Sequence, residues 1–411
     1  MILTVTLNAA LDVTYRVDAV VPHGTHRVAE VTERAGGKGL NVARVLHALG
    51  EPVLATGLLG GPIGARVARL LDADGVAAAF ERIGGETRRT VAVVDTDATG
   101  FWEPGPVVTA AEWSAFRARY RALLSDAVVV VLSGSLPRGL PVDAYAALIR
   151  DARAAGVASV LDTSGDALRA GLAAGPDVVK PNAEELHTLR TRTAAPAGDD
   201  RNGEHDGNGE HDRDGGDDRD GGDDRDGGDD RDGLDGLARL AAAARALGAG
   251  AVVASAGPEG LVAVTADGTW HARPPEVVTG NPTGAGDACV AALARNLRDR
   301  NPWPRTLTDA VALSAAAVAA PVAGALDPAV AARLRPAVTV TALAPAAPTP
   351  PATAADPTAR HPTARHPDSP HPNARHPNAP RSNAPAAGAP LGTGRPAPAR
   401  SAPTAQEHPA C

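Results

Sequence analysis

The chain has 411 residues, 40 basic and 48 acidic side chains and a net charge of −8, but the charge is local. Residues 199–232 carry sixteen acids and five Arg, residues 341–411 carry six Arg and three acids, and the remaining body of about 306 residues is neutral. A neutral body gives no electrostatic reason to expect nucleic acid or a membrane surface as partner, and two cysteines, Cys289 and Cys411, exclude a disulfide framework and point to a reducing, cytoplasmic compartment.

In chain order, Ile2–Leu7 alternates apolar residues with Thr, has no basic residue ahead of it, and predicts a strand rather than a signal peptide. Two stretches, 14–32 and 90–103, predict paired strands without helices between them, forming a small sheet that lies over the strand ends as a lid. Asn41–Leu49 has apolar residues at helical spacing, Val53–Leu58 is apolar, and Ala65–Leu71 is amphipathic. Val128–Leu132 is a bare Val/Leu run, as in a parallel strand covered on both faces. Helix, strand, helix and strand end follow at Tyr145–Ala154, Val157–Leu161, Ala167–Ala173 and Val178–Lys180. Leu234–Leu247 predicts a helix, Ala251–Ser255 a strand, and Asp287–Arg298 and Leu307–Val318 two more helices.

This β-α rhythm predicts an α/β fold, a mostly parallel doubly wound sheet flanked by helices. One folded domain is expected over 1–340, with a disordered acidic insert at 199–232 and a disordered tail at 341–411. The longest apolar run, Ala310–Leu326, is Ala-rich and holds Pro321, so no membrane span is expected.

Several glycine turns stand at strand or helix ends. Asn281-Pro-Thr-Gly284-Ala285-Gly286-Asp287 runs into a helix, whose N-terminal N–H groups and dipole favour an anion. Asp287 is there either a helix cap or a general base. Ala35-Gly-Gly37-Lys38-Gly-Leu-Asn41 is a second glycine turn without Walker A spacing. Lys180-Pro-Asn182-Ala-Glu-Glu185 supplies an amide and a carboxylate three apart, suited to a hydrated Mg2+ or to a capping box. Ser133-Gly-Ser135-Leu-Pro-Arg-Gly139 and Ser255-Ala-Gly257-Pro-Glu-Gly260 follow strands, where open α/β sheets bind ligands. Asp12 follows the first strand, and Arg27 and Arg88 lie in or beside the lid. Lys38 and Lys180 are the only lysines among forty basic residues, and both fall inside these turns. Together the motifs describe a phosphoryl-transfer layout.

At these residues the sequence resembles the ribokinase-like carbohydrate kinases, phosphofructokinase-B branch. Ala35 to Gly50 is similar to the first family signature and Asn281 to Ala294 to the second. The order Thr-Leu-Asn-x-x-Leu-Asp12, Glu-Thr-Arg88, Ser-Gly-Ser-Leu-Pro137, Leu-Asp162-x-Ser-Gly165 and Lys180-Pro-Asn-x-x-Glu185 is also family-like. The resemblance covers about 1–195 and 234–335 and is nearest to the 1-phosphofructokinase and tagatose-6-phosphate kinase group. It implies ATP and Mg2+ as cofactors, a sugar phosphate as substrate, and a homodimer formed through the lid. It implies Asp287 as base, with Gly284, Ala285 and Gly286 holding the phosphoryl group. Asp12, Gly37, Lys38, Asn41 and Ser135 would bind the sugar, and Arg27 and Arg88 its phosphate. Lys180, Ser255, Gly257, Gly260 and Asn281 would line the nucleotide cleft, and Glu185 with Asn182 would support the metal. The preferred reaction is fructose 1-phosphate to fructose 1,6-bisphosphate. Tagatose 6-phosphate, fructose 6-phosphate and an unphosphorylated sugar are the alternatives. Ala9, Arg89-Thr90 and Ser255-Ala-Gly depart from the family pattern.

Overall fold

The Val/Leu runs do become strands, and the amphipathic stretches between them become the helices that cover them. The structure, a computed structural model, describes residues 1–194 and 233–343. The acidic insert and residues 344–411 of the tail, with the disorder expected for both, lie outside the described residues.

The chain opens with β1 (Ile2–Thr6), β2 (Ala10–Arg16), β3 (Glu30–Gly36) and α1 (Lys38–Ala48). Next come β4 (Val53–Gly60), α2 (Gly61–Ala73), β5 (Glu81–Ile83), β6 (Arg88–Val94), β7 (Ala98–Trp102) and α3 (Ala110–Leu123). The middle alternates as β8 (Val129–Ser133), α4 (Ala144–Ala154), β9 (Ala158–Asp162), α5 (Gly165–Ala173), β10 (Val178–Val179) and α6 (Ala183–Ala194). The last part holds α7 (Leu234–Ala246), β11 (Ala251–Ser255), β12 (Leu261–Val264) and β13 (Thr269–Arg273). It closes with α8 (Ala285–Asp299), α9 (Trp303–Val318), α10 (Pro328–Leu334) and β14 (Thr339–Leu343).

The main sheet has ten strands in the order β14-β13-β12-β11-β10-β9-β8-β1-β4-β5. From β5 to β11 all neighbours are parallel, and β12, β13 and β14 add an antiparallel edge. Strand order reverses about β1, which sits between β4 and β8, so the crevice at the carboxyl ends of β1 and β8 is the topological switch point. The two-residue period of β8 explains its bare apolar sequence. Val129 and Val131 join one buried cluster with α1, α8 and α9, while Val130 and Leu132 join the opposite one with α4, α5 and α7. Each such side chain contributes roughly 1.5–3 kcal/mol by burial.

The second sheet has the order β3-β2-β6-β7. It is the small separate sheet expected as a lid, but its strands are placed differently. Pairing begins at Ala10 and Arg88 rather than at 14 and 90, and 17–29 is a connection instead of a strand. Pro22 and Gly24 interrupt that stretch, and His23 between them takes a left-handed backbone at φ +64°. The boundary expected at 340 falls inside β14, which pairs with β13. Helix α1 begins at Lys38, so Lys38 and Asn41 stand in its first turn. Among the described residues, no helix is long and apolar enough to cross a membrane.

Candidate active site

Gly284 caps α8 with φ +94°, a left-handed conformation that glycine adopts at little cost. A Cβ there would lie 3.0 Å from Ala323 Cα. The helix therefore starts at Ala285 and carries Asp287 in its first turn. The N–H groups of Gly286 and Asp287 have no acceptor four residues back within the helix, and the helix dipole lies behind them. Ala285 differs, because its N–H donates to the Pro282 carbonyl at 3.1 Å. Asn281 shapes the same turn: its Oδ1 accepts from Thr283 N–H at 3.0 Å, and its Nδ2 donates to the Pro321 carbonyl at 3.4 Å.

The Asp287 side chain is buried, and Asn41 Nδ2 donates to its Oδ2 at 2.8 Å. Burial pushes the Asp287 carboxyl up to about 6. The negative charge of Asp162 acts in the same direction, while Lys38, the Asn41 amide and Lys180 pull it back. A carboxyl in that range is ionised at neutral pH yet basic enough to accept a proton from a reacting hydroxyl.

Both lysines converge on Asp162, the last residue of β9. Lys38 Nζ lies 3.8 Å and Lys180 Nζ 4.0 Å from Asp162 Oδ1. The other carboxylate oxygen accepts from Ser133 Oγ at 3.1 Å, and Oδ1 is buried without a hydrogen-bond partner. A Cβ on Gly286 would stand 3.2 Å from Lys180 Nζ, so that ammonium abuts the start of α8. Burial is the largest influence and works against the Lys180 charge, but Asp162, Cys289 and Glu185 together outweigh it and hold the pKa above the ordinary lysine value. Asp162 entered the sequence analysis only within the Leu-Asp162-x-Ser-Gly165 motif, with no site role given to it. Its signal was a carboxylate ending the buried run Val160-Leu161 at the ligand-binding edge of the sheet.

On the other side of the crevice, strand register places Asp12 opposite Arg34 and Thr90, and Thr90 opposite Trp102. Residues paired in this way share one face of the small sheet. Thr90 Oγ1 donates to Asp12 Oδ1. Burial raises the Asp12 carboxyl, against the pull of Thr90, Arg44, Arg88 and Arg34. Arg88 donates from Nε to the Asn8 carbonyl and from Nη1 to the Glu103 carbonyl, both at 3.4 Å. Asn8 Nδ2 in turn donates to Ser135 Oγ at 3.0 Å, joining the ends of β1 and β8. Gly37 is the N-cap of α1, with φ +113°. Arg27 lies exposed in the 17–29 connection, and among the described residues no hydrogen bond or ion pair links it to this group.

At the ends of β10 and β11, Asn182 and Glu185 form a reciprocal capping box for α6. Asn182 N–H donates to Glu185 Oε2 at 2.9 Å, and Glu185 N–H to Asn182 Oδ1 at 2.7 Å. Burial raises the Glu185 carboxyl, and Asp162 adds to the rise. Ser255 pairs with Asn182 through an isolated parallel bridge. Gly257 and Gly260 bracket the short 3-10 turn that follows β11. Among the described residues, no group of three or more His, Cys, Asp or Glu side chains is placed to hold a metal ion. A separate polar cavity of about 320 Å3 between α8 and α9 is spanned by ion pairs of Arg295 and Arg335 with Asp309, and none of its lining residues belongs to this site.

Compared with known families, residues 5–203 and 228–329 match the model of the pfkB family carbohydrate kinases. The chain belongs to that family. The pfkB fold is shared with solved structures at low identity. Phosphofructokinase-2 from Escherichia coli in complex with fructose-6-phosphate is 26% identical, with a TM-score of 0.67 over 82% of this chain and 98% of that one. A possible 1-phosphofructokinase from Thermotoga maritima is 25% identical, with a TM-score of 0.65 over 84% and 99%. The tetrameric inhibited form of the Escherichia coli enzyme is 25% identical, with a TM-score of 0.65 over 82% and 98%. In this pfkB chain the structure brings Lys38 and Lys180 to Asp162, Asn41 to Asp287 and Lys180 against Gly286, and it brings Arg88 and Ser135 to Asn8, with Asp12 in the field of Arg88. Arg27 stands apart from both groups.

Proposed function

We propose that this pfkB carbohydrate kinase transfers the γ-phosphoryl group of ATP to a ketose monophosphate, with fructose 1-phosphate as the preferred acceptor. The observation that carries the reading is the buried Asp287 carboxylate in the first turn of α8, held by Asn41 at 2.8 Å. Asp287 takes the proton from the sugar hydroxyl as that oxygen bonds to the γ-phosphorus. The bond from phosphorus to the ADP oxygen breaks, and ADP leaves with its electron pair. Charge gathering on the phosphoryl oxygens is met by the first-turn N–H groups of α8 and by Lys180.

The residues at the nucleotide side fit Mg2+, a hard cation that keeps most of its waters. The capping box occupies Glu185 Oε2 and so leaves the other carboxylate oxygen to face a hydrated ion, with Asn182 fixing the carboxylate. When bound, Mg2+ would neutralise phosphate charge.

The choice of a phosphorylated acceptor rests on Arg88, because a guanidinium suits bidentate phosphate contact. Arg88→Ala should raise KM for the sugar phosphate roughly 10- to 100-fold and leave any turnover of unphosphorylated fructose unchanged. An unchanged KM would remove the arginine from the phosphate site. The preference for fructose 1-phosphate rests on the Gly36-Gly-Lys-Gly-Leu-Asn41 and Ser133-Gly-Ser-Leu-Pro-Arg-Gly139 motifs. ADP release measured over fructose 1-phosphate, fructose 6-phosphate, tagatose 6-phosphate, fructose and ribose tests it.

The small sheet also supports a homodimer. Trp102 is 59% exposed on the same face as Asp12 and Thr90, and a second copy covering it would also shield the sugar from water. Trp102→Asp should move the protein to the monomer position on a sizing column and raise KM for the sugar. A variant that elutes like the wild type counts against this interface.

A further inference from the structure

The Asn41 amide touches Asp287, and the structure shows what orients that amide. Arg44, one turn later on α1, is 5% exposed. Its Nη1 donates to Asn41 Oδ1 at 2.8 Å, its Nε donates to Asp74 Oδ2 at 3.0 Å, and its Nη2 donates to the Ala35 carbonyl. A guanidinium offers donors only, so the Asn41 oxygen must face Arg44 and the Asn41 NH2 must face Asp287. The reversed amide would set donor against donor at Arg44 and acceptor against acceptor at Asp287. Gly324, with φ +74°, packs over the pair. A Cβ there would lie 2.7 Å from Arg44 Nη1 and 3.2 Å from Asn41 Oδ1. A hydrogen-bonded chain thus runs from the half-exposed Asp74, which caps the end of α2, through Arg44 and Asn41 to Asp287.

We propose that Arg44 is a positioning residue for phosphoryl transfer: by locking the Asn41 amide it holds the Asp287 carboxylate in one orientation toward the acceptor hydroxyl. The proposal rests on the reading of Asp287 as base. The Arg44 guanidinium is bonded to Asn41, Asp74 and the Ala35 carbonyl and acts on Asp287 through Asn41. The other charges around Asp287 are Asp162, Lys38 and Lys180, and those around Arg44 are Asp12, Arg34 and Asp74.

The test is steady-state kinetics from pH 5 to 9 on the full chain. It compares wild type, Arg44→Met, Arg44→Lys, Asp74→Asn, Asn41→Ala and the Arg44→Met/Asn41→Ala double variant. Arg44→Met should lower kcat roughly tenfold with KM for ATP within about twofold. The acid limb of kcat should move to higher pH, because a freed amide no longer favours the ionised carboxylate. Arg44→Lys should recover part of the loss, and Asp74→Asn should shift the limb the same way by less. In the Asn41→Ala background, Arg44→Met should add nothing further. An unmoved acid limb in Arg44→Met, or a full additional loss in the double variant, overturns the proposal. If Arg44→Met does not fold, Asp74→Asn decides: a limb at the wild-type position overturns it. An Asp287→Asn protein that keeps its turnover defeats the base assignment instead, whatever the Arg44 variants do.

Discussion

Asp287→Asn should lower kcat about a thousandfold while ATP still binds. The Asn side chain keeps the shape and can still accept from Asn41, so the loss isolates the proton transfer. The wild-type kcat should rise with pH through about 6, following ionisation of Asp287. The same substitution should stabilise the fold. The folded-state carboxyl lies at about 6 against an ordinary value of 3.8, so the folded chain holds the proton more tightly than the unfolded chain. Stability of the wild type therefore falls as pH rises from about 4 to 6 and is level above that. The neutral Asn escapes this cost, and above pH 6 the variant should gain about 3 kcal/mol. Urea unfolding at pH 4 and pH 8 measures it. Equal stabilities of the two proteins at pH 8 would contradict the buried, ionised carboxylate.

Asp162→Asn should act in the opposite direction on stability. The substitution keeps the acceptor for Ser133 but removes the negative charge facing two ammonium groups at 3.8 and 4.0 Å. The Lys180 side chain is 8% exposed and cannot turn to bulk water for compensation. Leaving such a charge unpaired costs about 3 kcal/mol, seen as a lower urea midpoint at pH 8. Any remaining activity should have its acid limb at lower pH, because Asp162 is one of the groups that raise Asp287. A midpoint within experimental error of wild type would mean that the lysines do not depend on this carboxylate.

The parallel core was legible because its strands are bare apolar runs. The run Val128–Leu132 predicts a strand covered on both faces; β8 begins one residue later, at Val129, with Val129–Leu132 buried and Val128 49% exposed ahead of it. The antiparallel edge was not assigned from sequence. Strands β12 and β13 are only four and five residues long and follow short turns, so local pattern carries little signal. Helix α3 was also left unassigned, although Thr109 and Glu112 form a capping box that can be spelled from the letters alone. At the site, the glycine turns and the two lysines stood out because they broke the composition. Asp162 and Arg44 fell inside family-like motifs but were given no role of their own. An aspartate after a strand and an arginine on a helix are common, and their importance arises from Lys38, Lys180 and Asn41 arriving from elsewhere in the fold. Asn182 and Glu185 show the converse: spacing left a metal site and a capping box open, and the geometry forms the cap while leaving one oxygen of Glu185 outside it.

The bond from Asn41 to Asp287 joins residues 246 positions apart. On the reading proposed above, the sugar-side residues Asp12 to Ser135 are made early in synthesis, and the proposed base Asp287 arrives only with α8. A nascent chain released before α8 could present acceptor-binding groups, yet would have no carboxylate to draw the proton and no helix terminus to receive the phosphoryl group. On that reading such a fragment would not turn over ATP. Contacts of such long separation also form slowly, so the appearance of activity should follow completion of the chain rather than growth of the sheet.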